Sequence, residues 1–154
     1  MLLLFSGGVL EFDETIPMRG IGARAARLPV CMIVEDEAAI ALALEDEFRE
    51  AGYDVSGPFA TCGAALIKLG RDRPDVAILD TVLKDGSCLE LARALRLRGV
   101  PFVVFSGWEE MHQNAPELAG APWIVKPAEF ETVRRAVEGL AGRYGAAPPA
   151  TPVV

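Results

Sequence analysis

Four apolar runs in this chain each end on residues that could do chemistry. CMIV runs into Glu35 and Asp36, VAIL into Asp80, FVVF into Ser106 and WIV into Lys126. Three carboxylates, a hydroxyl and an ammonium gathered at one point would make a site for a hard cation and a phosphoryl group. Packed carboxylates repel and raise one another's pKa unless a cation intervenes. Oxygen donors with no His or Cys beside them favour Mg2+, with Mn2+ as the other candidate, over zinc. A carboxylate between such a cation and a lysine is suited to attack on phosphorus. Phosphoryl transfer needs charge stabilisation on the equatorial oxygens more than acid–base help. Mg2+, Lys126 and the Ser106 hydroxyl would each take one oxygen, and Gly107 leaves room beside them.

The endings meet only if the runs are strands of one parallel sheet, because ligands of open α/β sheets bind just beyond the carboxyl ends of the strands. The chain alternates accordingly. Strands are expected at Val30–Val34, Tyr53–Ser56, Asp75–Asp80, Phe102–Phe105 and Trp123–Val125. Helices are expected near Glu37–Ala51, Cys62–Gly70, Ser87–Arg98 and Glu129–Gly142. Ile40, Leu44 and Phe48 recur at helical spacing in the first of these, and Val133, Val137 and Leu140 share one face of the last. Residues 108–121 should hold one more helix, but Pro116 and Gly120 predict a short or irregular one. The whole is a doubly wound (βα)5 unit with helices on both faces. Neighbours on an extended strand point to opposite faces. Glu35 and Asp36 therefore reach one ion only if the strand stops there and the backbone turns.

The chain has 154 residues, 24% of them charged, which suits one soluble domain. Residues 29–142 are expected to form it, with 1–28 a poorly ordered extension and 143–154 a disordered Pro- and Ala-rich tail. A net charge of -7 argues against a nucleic-acid face. No apolar stretch approaches the ~20 residues that span a bilayer. MLLLFSGGVL has no basic residue before it and Glu11, Asp13 and Glu14 behind it, unlike a signal peptide. Cys31, Cys62 and Cys88 form no CxxC, and any pairing leaves one over. Reduced cytosolic thiols and a cytoplasmic location are the expectation.

With VEDE, AILDTVLKDG, VFSG and VKP at the successive strand ends, residues 29–142 resemble the receiver domain of two-component response regulators. The resemblance implies a flavodoxin-like sheet of strand order 2-1-3-4-5. It implies that Asp80 is the phosphoacceptor, fed by a histidine kinase or phosphotransfer protein, and that Asp36 binds Mg2+ directly. Glu35 would act mostly through metal-bound water, with the Val82 carbonyl a further ligand. Ser106 would be the switching hydroxyl, Lys126 its ion-pair partner, Lys126–Pro127 a cis peptide and Trp123 the switching aromatic. Trp108, two residues after Ser106, would control water access, and Trp108→Ala is expected to speed loss of the phosphoryl group. The PFVVFSGW run is similar to a subgroup with a reduced fourth helix, and Ala128 departs from the Phe common after Lys-Pro. Both departures put the usual output face in doubt.

Other readings remain open at this level. Glu35 and Asp36 could be only a charge pair at a helix N-terminus, Ser106 a turn serine and His112 a solvated side chain. A pseudo-receiver would keep the fold without the chemistry. An aspartyl-phosphate phosphohydrolase would want a second aspartate two residues beyond Asp80, where Val82 stands. The expectation is a non-enzymatic, stand-alone receiver, a monomer or a phosphorylation-linked homodimer. It would contact neither nucleic acid nor membrane and would signal to an unknown protein or serve as a phosphate sink or relay.

Overall fold

A computed structural model describes residues 27–107 and 114–143, with the backbones of Leu4–Phe5 and Gly8–Val9, which pair antiparallel. Trp108, His112 and most of the expected extension and tail lie outside the described residues. The sheet contains β1 (Val30–Val34), β2 (Asp54–Phe59), β3 (Val76–Leu79), β4 (Phe102–Ser106) and β5 (Trp123–Val125). All pairings are parallel, in the order β2-β1-β3-β4-β5, as expected. The helices are α1 (Ala38–Glu50), α2 (Cys62–Arg71), α3 (Leu89–Leu97) and α4 (Phe130–Arg143). Between β4 and β5 the described residues hold only a 3-10 turn at Pro116–Leu118, in line with the irregular segment foreseen there. No helix among the described residues is long and apolar enough to cross a membrane.

Alternation along the strands divides the core in two. Met32, Val34, Ala77, Leu79 and Val104 pack under α2 and α3, and Cys31, Ile33, Ile78, Val103 and Phe105 pack under α1 and α4. Burial on both faces explains why the strands read as continuous apolar runs. Leu44 and Phe48 of α1 and Val133 and Val137 of α4 are fully buried against the second cluster. At the entry, both Asp75 carboxylate oxygens accept from Arg27 at 3.0 Å, and one also takes the Val30 N–H at 2.7 Å.

Two expectations are corrected. β2 does not stop at Ser56 but continues to Phe59 through a register shift opposite Met32–Val34. Gly57 makes this passage possible, with φ +104 and the Ile33 carbonyl 2.7 Å from where a Cβ would sit. Gly57–Pro58 is a second cis bond beside the expected Lys126–Pro127. The longer strand reaches the site, because the Phe59 carbonyl accepts the Glu35 N–H at 2.9 Å.

The cysteines are not all reduced, as Cys62 and Cys88 form a disulfide. They are 26 positions apart in sequence, but the first residue of α2 and the residue preceding α3 lie side by side, with Cα atoms 5.7 Å apart. Cys31 is the leftover thiol, buried in β1, where burial pushes its pKa up.

Candidate metal and phosphoryl site

The strand ladder extends one residue past β3 and reaches Lys126 beyond β5. The Asp80 N–H donates to the Val34 carbonyl at 3.0 Å, and the Lys126 N–H to the Ser106 carbonyl at 2.9 Å. The backbones beneath the reactive side chains therefore belong to the rigid sheet. After β1 the chain turns, and the turn is closed by the site itself: Glu35 Oε1 accepts the Glu37 N–H at 2.9 Å. That turn lets two adjacent acids face one point. Glu35, Asp36 and Asp80 each bring a carboxylate oxygen to within 4.8 Å of the others.

Lys126 lies among them. Its Nζ donates to Glu35 Oε2 at 2.6 Å and to Asp80 Oδ2 at 2.8 Å. The other oxygen of Asp80, Oδ1, accepts from Ser106 Oγ at 2.7 Å and more weakly from the Val82 N–H at 3.3 Å. Glu35, Asp80 and Ser106 are all buried, with Asp36 half-buried at the rim. Burial pushes the Glu35 carboxyl above the usual carboxylate range, against the pull of Lys126 and the Glu37 N–H. Burial alone would lower the Lys126 pKa, but its bonds to Asp80 and Glu35 outweigh this and raise it. One ammonium cannot neutralise three carboxylates, and the donors are all oxygen. The set fits a hard divalent cation.

The chain from residue 31 to 138 matches the family model described as "Response regulator receiver domain". The chain belongs to this family. It is 26% identical over 143 residues to the transcriptional regulatory protein PdtaR of Mycobacterium tuberculosis, covering 90% of this chain and 64% of that one. It is 31% identical over 125 residues to the TorCAD operon transcriptional regulatory protein TorR of Escherichia coli, covering 79% and 54%. The chain thus spans less than two thirds of the length of these relatives. Among solved structures, a CheY-like receiver from Methanospirillum hungatei superposes with a TM-score of 0.70 at 26% identity, covering 77% and 98%. The PhyR receiver domain of Erythrobacter litoralis gives 0.66 at 26%, covering 75% and 91%.

Receiver domains bind Mg2+ at an acidic pocket, and Glu35, Asp36 and Asp80 form such a group here. The structure brings together Glu35, Asp36, Asp80, Ser106 and Lys126. A Cβ added at Gly107 would meet no atom within 4 Å, so space is open beside Ser106. Val82 is exposed at the start of a hairpin with Gly86–Ser87. Trp123 stands apart, packed over the α2–α3 core with its indole Nε1 buried and without a hydrogen-bond partner.

Sequence reasoning missed two residues of this receiver. Thr81 Oγ1 lies 2.8 Å from Ser106 Oγ, and both residues are buried. Asp85 ties the loop after Asp80 to α2, accepting the Cys62 N–H at 2.9 Å and the Gly63 N–H at 3.0 Å. Bonding to Gly63 and Cys62 holds its carboxyl below the usual range. An Asp six residues beyond the end of β3 carries no local mark of capping a helix more than twenty positions upstream.

Proposed function

We propose that Asp80 accepts a phosphoryl group from a histidine kinase or histidine phosphotransfer protein in a Mg2+-dependent reaction. The observation that supports this most is the Asp80 carboxylate, gripped at one oxygen by Lys126 and at the other by Ser106. A carboxylate oxygen of Asp80 attacks phosphorus, the phosphorus–nitrogen bond of the donor phosphohistidine breaks, and the imidazole leaves. Glu35, Asp36 and Asp80, with the Val82 carbonyl, would hold Mg2+, which when bound would supply positive charge against the phosphoryl oxygens. Lys126 and the Ser106 hydroxyl are the chain's own donors to those oxygens, and Gly107 leaves them space. Holding Lys126 between Glu35 and Asp80 orients its charge before the phosphoryl group arrives.

Phosphorylation then biases a two-state equilibrium read by another protein or a second copy of this chain. Trp123 is suited to respond, since its buried indole N–H has no acceptor in the present arrangement. We place the reaction in the cytoplasm, with the chain as acceptor rather than enzyme. The Asp80–Lys126–Ser106 contacts favour a working acceptor over a silent interaction module. Incubation with a small phosphodonor and Mg2+ should add one phosphoryl group by intact mass to wild type and none to Asp80→Asn. An unmodified wild type, or equal modification of the variant, refutes the reading.

A further inference from the structure

Ser106 Oγ stands between two oxygens, Asp80 Oδ1 at 2.7 Å and Thr81 Oγ1 at 2.8 Å. A serine hydroxyl has one proton, and an ionised carboxylate can only accept. With the Ser106 proton given to Asp80, Thr81 Oγ1 is assigned as the donor of the bond between the two hydroxyls. The three groups form a directed chain, Thr81 to Ser106 to Asp80. Ser106 is 0% and Thr81 1% exposed, so bulk water does not compete for either hydroxyl.

The two hydroxyls differ in stiffness. Serine is unbranched and turns readily about χ1, whereas threonine's β-branch restricts it. Thr81 is also firmly mounted. Its carbonyl accepts the Cys88 N–H at 3.0 Å, and Cys88 is bonded through the disulfide to Cys62, whose N–H is in turn held by Asp85. The stiff hydroxyl thus sits on a braced loop and the mobile one on the residue that must meet the phosphoryl group.

We propose that Thr81 is a positioning residue that holds Ser106 turned toward the acceptor before any phosphoryl group is present. This rests on the reading of Asp80 as the phosphoacceptor. Thr81 touches no phosphoryl oxygen. It fixes the rotamer and proton direction of Ser106, so that the serine donor is already aimed when the charge on the phosphoryl group must be met. A Thr81 that only filled space at a strand end would tolerate Val, which has nearly the same shape but no hydroxyl.

The test titrates the full chain first with Mg2+ alone and then with beryllofluoride at saturating Mg2+, as a phosphoryl mimic. Thr81→Val should weaken beryllofluoride binding by about five-fold, the worth of one neutral hydrogen bond, with Mg2+ affinity little changed. Thr81→Ser, which keeps the hydroxyl but not the β-branch, should restore most of it, and the Thr81→Val penalty should disappear in a Ser106→Ala background, where there is nothing to position. If Thr81→Val does not fold, the comparison of Thr81→Ala with Thr81→Ser carries the same contrast. Thr81→Val binding as tightly as wild type, or an equal penalty with and without Ser106, overturns the role of Thr81 alone. A wild type that takes no beryllofluoride overturns the acceptor reading and this inference with it.

Discussion

Replacing Lys126 with Met tests the charge balance of the site. The lysine Nζ lies 2.6 Å from Glu35 and 2.8 Å from Asp80, and the three side chains are only 16%, 1% and 9% exposed. At an effective dielectric of about 20, each contact is worth about 6 kcal/mol of Coulomb attraction. Desolvation cancels much of this, and removing one partner of a buried pair costs about 3–5 kcal/mol overall. Met keeps most of the stem, so little packing is lost. The cation–π contact over Phe105, at 5.5 Å, adds under about 1 kcal/mol. Without divalent cation, Lys126→Met should therefore lower the unfolding free energy by about 3 kcal/mol near neutral pH.

The pH dependence follows from the two shifts. The folded Glu35 pKa is raised above its unfolded value of about 4.3. Its contribution is fully present below about pH 4 and is lost as pH rises through the folded value. Removing Lys126 raises the folded value further, so the deficit of the variant should be large near pH 7 and should close toward about pH 4. The stabilisation from Lys126 itself is present below about pH 10 and is lost above its raised folded pKa. Millimolar Mg2+ should stabilise the variant more than wild type, since it replaces part of the missing charge. Urea unfolding at several pH values, with and without Mg2+, reads all three effects. A loss below about 1 kcal/mol, or one that does not change with pH, would refute the reasoning.

Two further outcomes are expected. The Cys62–Cys88 bridge spans 26 residues, and opening a loop of that size should cost about 3.5 kcal/mol through the unfolded chain; an unchanged urea midpoint after a dithiol reductant would show that no bridge forms. Asp85, held ionised by the Gly63 and Cys62 amides, contributes stability that is present above about pH 4 and lost as pH falls through its lowered folded value. Asp85→Ala should accordingly flatten the acid limb of melting temperature against pH, and superimposable acid limbs would discard the capping role.

Much of this protein was legible without coordinates because strand and helix periods are local. The runs ending at Glu35, Asp80, Ser106 and Lys126 announce strands buried on both faces, and parallel topology alone brings their carboxyl ends together. Pro116 and Gly120 likewise announce that Pro116–Leu118 forms only a 3-10 turn, because the obstacle to helix is in the residues themselves.

What only the tertiary structure decided depends on the exact course of loops between distant residues. The register shift at Gly57 carries β2 up to Glu35, 24 positions back along the chain, to receive its N–H. Cys62 and Cys88, spaced like unrelated thiols, meet because two helices start side by side. Lys126 bridges both Glu35 and Asp80, and Thr81 faces Ser106 because neighbouring strand ends place two buried hydroxyls within 2.8 Å. Period and composition name the residues that come to the site, but which hydrogen each donates, and to whom, is settled by packing at the ångström scale.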